Sequence, residues 1–193
     1  MGPDYFAVLQ FERRPWIDPD QLKREYQQRT FAAHPDRSKK AAADVDFAAI
    51  TEAYRVLNSP RLRLQHLLAL EGDSQSRGEP TPVPCALSEL FMQAAQLVAA
   101  INSFLQKREQ TSSTLGKSLL QSELAGLRGR IGLLLRNLET QYAEALNDLR
   151  TVDEAWPKNR DRAVAEIKPL TQRFAFLERW LDQLREKDFQ LSS

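Results

Sequence analysis

The stretch Arg29-Thr30-Phe31-Ala32-Ala33-His34-Pro35-Asp36-Arg37-Ser38-Lys39-Lys40 decides the reading of the first third of the chain. Pro35 disfavours the α region at His34, so the helix that enters from the left must stop there. That helix opens at Pro19 behind Asp18, a cap residue followed by a proline at the first helical position. Leu22, Tyr26, Arg29 and Ala33 then share one of its faces. A polar loop follows Pro35, and a further helix is expected from about Ala42 to Leu57, with Val45, Ile50, Ala53, Tyr54 and Leu57 as its apolar members. Two antiparallel helices joined in this way leave the His34–Lys40 loop at an exposed tip. Pro35 stiffens the tip and Asp36 offers a carboxylate there. Lys23, Arg24 and Arg29 supply positive charge on the incoming helix, so the region suits an electrostatic contact with a charged partner.

Working outward, Asp4–Gln10 reads as a short first helix, broken by Arg13, Arg14 and Pro15. Asn58-Ser59-Pro60 stops one helix and starts another, which runs over Pro60–Leu70 and ends at Gly72, a favourable residue just past a helix end. Residues 72–86 hold Gly72, Gly78, Pro80, Pro82 and Pro84 among polar residues, and read as a linker with extended, semi-rigid backbone. A wide-striped helix is expected from an N-cap at Ser88 to about Lys107, buried between two neighbours. From Leu120, apolar residues spaced by threes and fours (Leu124, Leu127, Ile131, Leu134, Leu138, Tyr142, Ala145, Leu149, Val152) form a helix–helix seam ending at Trp156-Pro157. Gly126, Gly129 and Gly132 interrupt it at a cost of about 1 kcal/mol each relative to Ala, so fraying is expected there. A last helix, Asn159 to about Lys187, contains Pro169, which should kink or divide it.

The chain has 193 residues, 42% hydrophobic and 27% charged, with seven glycines. Leu, Ala, Gln, Glu and Arg dominate, which gives an all-α fold class. Four helices form an N-terminal unit at 1–72, residues 73–87 are the linker, and 88–193 form an antiparallel three-helix bundle. The charge balance of 27 basic to 26 acidic residues, with no polybasic run, points away from nucleic acid and anionic membranes as partners. No apolar run is long enough to span a bilayer, and the start shows no signal or transit pattern, so a cytoplasmic location is expected. The single cysteine, Cys85, excludes an internal disulfide and any Cys/His metal set, and reads as an inert linker thiol. No cofactor and no metal are implied. His34 and Asp36 lack an accompanying nucleophile motif or phosphate loop, so no catalytic residue is assigned and the chain is read as a non-enzyme. His66 reads as a packing residue.

Several of these segments, in order, resemble the J domain, by which J-type co-chaperones activate DnaK-type heat-shock-70 ATPases. Asp4-Tyr5-Phe6-Ala7-Val8-Leu9 is similar to the family's opening signature, and Leu22 with Tyr26 to the apolar face of its second helix. His34-Pro35-Asp36 matches its loop tripeptide. Ile50-Thr51-Glu52-Ala53-Tyr54-Arg55-Val56-Leu57, followed by Asn58-Ser59-Pro60, resembles "I-x-x-A-Y-x-x-L-x-x-P". The next stretch, Pro60 to Gly72 with Leu67-Leu68-Ala69-Leu70-Glu71-Gly72 at its end, resembles the HscB-type co-chaperones of iron–sulfur cluster assembly. Leu90-Phe91-Met92-Gln93 is similar to the start of that family's client-binding helix, and Phe176-Leu177-Glu178-Arg179 to a segment of its last helix.

The resemblance implies a J domain at 1–72 and a client-binding or oligomerisation bundle at 88–193. It implies docking on a DnaK/HscA-type chaperone through His34, Pro35, Asp36, Lys23, Arg24 and Arg29. The implied client is an iron–sulfur scaffold protein held at Phe91, Met92 and Phe176, with no cluster bound by the chain itself. The alternative is an adaptor whose bundle recruits another protein or self-associates. Two departures stand out. Gln27-Gln28 replaces the basic pair of many J domains, and Gln93, Ala94, Ala95, Ala99 and Ala100 stand where the family carries acidic residues.

Overall fold

The computed structural model describes residues 3–32, 42–72 and 85–192. Among them the secondary structure is helical throughout: α1 (Tyr5–Val8), α2 (Pro19–Ala32), α3 (Ala42–Asn58), α4 (Pro60–Leu70), α5 (Cys85–Gln110), α6 (Thr114–Ala155) and α7 (Arg160–Ser192). The chain divides into two compact units, one of Met1–Pro80 with Leu146–Gln172, the other of Thr81–Ala145 with Arg173–Ser193.

In the first unit the local signals act as the residue types dictate. Asp4 caps α1, its Oδ1 accepting from the amides of Phe6 (3.0 Å) and Ala7 (3.3 Å). Asp18 caps α2 by accepting from the Gln21 amide at 2.8 Å. Ser59 caps α4 through the Leu62 amide at 3.3 Å. Such caps are worth about 1 kcal/mol each because they satisfy otherwise orphaned amides. Gly72 takes the left-handed conformation, φ +84°, which ends α4 as its residue type favours. α1 is shorter than expected, since the chain turns at Gln10, whose φ is +57°, well before Arg13.

α3 is the hub of α1–α4, packing on α1, α2 and α4. Phe6, Leu9, Leu22, Ala53, Leu57, Leu64 and Leu67 are essentially inaccessible to solvent. Tyr26 of α2 stacks on Tyr54 of α3 with ring centroids 4.1 Å apart. The buried Arg63 ties this core to the α1–α2 connection. Its Nε donates to the Pro15 carbonyl at 2.8 Å and its Nη1 to the Leu57 carbonyl at 2.7 Å. The second bond satisfies one of the carbonyls that the end of α3 leaves free.

The residues of α6 and α7 in this unit bind the same connection. Arg14 makes a bidentate pair with the buried Asp153, Nε–Oδ1 3.2 Å and Nη2–Oδ2 2.6 Å. Asp153 also accepts from the Trp16 amide at 3.1 Å. Trp156 Nε1 donates to the Arg13 carbonyl at 2.9 Å. The Arg150 guanidinium lies over the Trp16 ring, 4.4 Å from its centroid, and Arg160 pairs with Glu71 at 3.0 Å.

In the second unit, α5, α6 and α7 form an up-down-up bundle, as the cross-contacts dictate. Phe91 meets Phe176 and Arg108 meets Gln190, so α5 and α7 run parallel. Lys107 meets Glu123, while Arg185 meets Glu139 and Arg173 meets Gln141, so α6 runs against both. The seam expected from sequence is the core: Leu127, Ile131, Leu134, Leu138 and Ala145 are buried, as are Leu97, Ile101 and Phe104 of α5 and Phe174, Leu177 and Leu184 of α7. The carbonyls of Gln190 and Leu191, in the last turn of α7, accept from Arg108 and Arg128 at 3.3 and 3.1 Å.

Four expectations are corrected. α5 begins at Cys85 rather than behind a cap at Ser88, and the buried Leu87 (2% exposed) anchors the extra turn. Cys85 therefore opens a helix, while residues 73–84 of the expected linker lie outside the described residues. α6 starts at Thr114, not Leu120, because Ser113 caps it, its Oγ accepting from the Gly116 amide at 3.1 Å. Gly126, Gly129 and Gly132 lie inside unbroken helix, held by the buried residues between and after them. Pro169 does not divide α7. It sits on the exposed side, where water can satisfy the carbonyl left without its helical donor.

Candidate partner-binding sites

Two regions carry the candidate residues. The first is the α2–α3 pair. Lys23 and Arg24 project from α2 exposed to solvent and reach no carboxylate among the described residues. Arg29 is less free: its Nη2 pairs with Glu25 one turn earlier at 2.8 Å. Glu25 therefore offsets part of the positive charge that the sequence suggests for this face. His34, Pro35 and Asp36 lie outside the described residues. The frame on either side of them is the α2–α3 pair, joined by the Tyr26–Tyr54 stack with Leu22 and Leu57 buried.

His66 has a role that sequence reasoning underrated. Its Nε2 accepts a hydrogen bond from the Tyr5 amide at 3.1 Å, and its ring stacks on Phe6 with centroids 5.7 Å apart. An accepting Nε2 requires a neutral ring. Burial pushes the His66 pKa below its ordinary 6.5, overcoming the nearby Asp4 carboxylate that favours the charged form, and the Arg13 guanidinium adds to the lowering. Partial burial raises the Asp4 pKa. The Arg13 hydrogen bond, the Ala7 amide, the Arg13 charge and the Phe6 amide together outweigh it and hold Asp4 below 3.8.

The second region lies on the bundle. Phe91 of α5 packs against Phe176 of α7 at 5.1 Å between centroids and stacks near Trp180 at 6.3 Å. All three are partly exposed, while Met92 is 59% exposed. Phe91 and Phe176 are thus brought together, with Met92 next in sequence on the more open side. Trp180 belongs to the same patch and was missed. The signal was its position one turn after Phe176, which shares a helix face. Gln93, Ala95, Gln96 and Ala99 are exposed along α5 beyond Met92, so this surface has no carboxylates there. No group of three metal-ligating side chains occurs among the described residues, and no described helix is long and apolar enough to cross a membrane.

Residues 4–66 match the DnaJ domain family. They are similar to the chaperone protein DnaJ of Acaryochloris marina, 38% identical over 63 residues, which is 33% of this chain and 16% of that protein. The co-chaperone protein HscB of Proteus mirabilis is 36% identical over 75 residues, covering 36% of this chain and 43% of that protein. The match thus spans less than half the length of either relative. Among solved structures, the chaperone HscB from Vibrio cholerae superposes with a TM-score of 0.55 at 16% identity, covering 98% of this chain and 99% of that one. Residues 4–66 therefore carry a J domain, and the chain as a whole shares the fold of the chaperone HscB from Vibrio cholerae.

Proposed function

We propose that this protein docks on a DnaK/HscA-type heat-shock-70 chaperone, stimulates its ATPase, and presents an iron–sulfur scaffold protein to it as client. The observation that carries the reading is the J domain at 4–66, whose span includes His34-Pro35-Asp36. Asp36 accepts a charge-assisted hydrogen bond from the chaperone, with Lys23 and Arg24 adding positive charge on α2. Arg29 contributes less, because Glu25 already holds it. The protein performs no chemistry itself. It brings two partners together, so that two weak contacts act as one stronger one. The partly exposed patch of Phe91, Phe176 and Trp180, with Met92 beside it, supports a client contact on the bundle.

A second reading has a specific observation behind it. The exposed α5 positions after Met92 are Gln and Ala rather than acids, which favours a bundle that recruits a different protein or self-associates.

Steady-state ATPase assays on the chaperone test the first contact. Asp36→Asn is expected to lower stimulation by about tenfold or more, equivalent to ~1.4 kcal/mol of docking free energy, with circular dichroism unchanged. Undiminished stimulation would refute the docking mechanism. Titration of the purified chain with an iron–sulfur scaffold protein tests the second contact. Binding weakened by Met92→Asp supports the client reading, and absence of binding favours the adaptor.

A further inference from the structure

The outer side of α6 bears an apolar stripe that the bundle does not use. Leu115, Leu119 and Leu133 are 75%, 69% and 56% exposed. Scattered exposed leucines are ordinary, but these fall in line. Leu119 is one turn beyond Leu115, and Leu133 follows about four turns later on the same side. The buried seam of Leu127, Ile131, Leu134 and Leu138 faces another way. Between Leu119 and Leu133 the stripe carries Gly126 and Gly129, around which an added Cβ would meet nothing within 4 Å. Beside Leu133 a cleft of about 210 Å³ opens between α5 and α6, walled by Gln93, Gln96, Leu97, Leu134 and Asn137, with Arg130 at its edge. A second helix could approach the α6 backbone closely there and set apolar side chains into the cleft.

Charge identifies the occupant. Arg130 and Arg136 border the stripe on opposite sides, and neither pairs with a carboxylate among the described residues. The one acidic residue from Thr114 to Leu138 is Glu123, and Lys107 already engages it at 3.2 Å. The rim therefore presents cations without anions. A second copy of this face would set arginines against arginines, which disfavours self-association.

We propose that residues 115–137 of α6 dock one amphipathic helix of a different protein, with an apolar stripe of about five turns flanked by carboxylates. The site uses none of Phe91, Phe176 and Trp180, and it does not depend on the chaperone reading.

The test uses the full chain and two labelled 21-residue helical peptides, identical in their leucine stripe but flanked by Glu in one and Lys in the other. Fluorescence anisotropy is expected to show the Glu-flanked peptide binding about tenfold or more tighter, equivalent to ~1.4 kcal/mol. Arg130→Glu with Arg136→Glu should reverse that preference. Leu119→Asp with Leu133→Asp should abolish binding while leaving the helical circular dichroism intact, since both positions are exposed. The proposal is overturned if neither peptide binds, if both bind equally, if the Leu119/Leu133 variant binds as tightly as the wild type, or if sedimentation shows a dimer that the Leu119/Leu133 variant dissociates.

Discussion

The two units are held together by different means. In the first, a few buried or half-buried polar side chains bind backbone that no helix satisfies: Arg63 holds the Pro15 and Leu57 carbonyls, Asp153 the Trp16 amide and His66 the Tyr5 amide. In the second, a continuous apolar seam does the work, and polar contacts to backbone carbonyls close the end of α7. Single polar clamps leave orphaned buried groups when removed, whereas a long seam spreads its stabilisation over many side chains. The first unit should therefore be brittle toward polar substitution and acid, and the second forgiving of backbone flaws. The same division runs through the comparisons. The N-terminal third matches DnaJ proteins at 36–38% identity, while across the whole chain the likeness is one of fold at 16% identity. A helical bundle constrains mainly its apolar periodicity, so its fold is kept at low identity.

The largest expected effect tests the brittle side. Arg63→Ala removes two hydrogen bonds from a charged donor and strands the carbonyls of Pro15 and Leu57. A loss of about 3 kcal/mol is expected by urea denaturation. Hydrogen exchange should locate it in α1–α4, and uniform acceleration across α5 instead would break the contrast between units.

Acid should act on the same unit. The folded-state pKa of His66 lies below 6.5, so as pH falls below 6.5 the unfolded chain takes up the proton first and stability declines until the folded value is passed. Above pH 6.5 the ring is neutral in both states and this loss is absent. Asp4, held below 3.8, contributes stability that is present above pH 3.8 and lost as pH drops through its folded value. His66→Gln keeps a side-chain acceptor for the Tyr5 amide and removes the titration. Melts between pH 7 and 5 should then be flatter than those of the wild type. An unchanged slope would show that His66 does not sense acid.

The smallest effect lies on the forgiving side. Gly126 sits in exposed helix interior with open space where a Cβ would go. Gly126→Ala should stabilise by about 1 kcal/mol, read as a rise in Tm. A fall would mean that the backbone at Gly126 is not ordinary helix.

Local chemistry made much of the fold legible. Asp18 before Pro19, Ser59 before Pro60 and Gly72 after Leu70 mark helix ends, because caps and prolines act on their immediate neighbours. The α6 seam is legible because a repeat of threes and fours on a helix can only be one face. The Ser113 cap has no capping-box signature, since the residue three positions on is Gly116 rather than an acid or amide. The regular apolar spacing begins only at Leu120.

The sequence by itself determined the helices, the seam and the J-domain motifs, all of which depend on residues a few positions apart. Tertiary structure alone decided that Arg14 meets Asp153, 139 positions away, that Arg63 is buried across two carbonyls, and that Trp180 joins Phe91. Exposure of Leu115, Leu119 and Leu133 was likewise decided there, since periodicity marks an apolar residue without saying which neighbour covers it. Pairings across such distances follow from how whole helices pack, and no local pattern encodes that geometry.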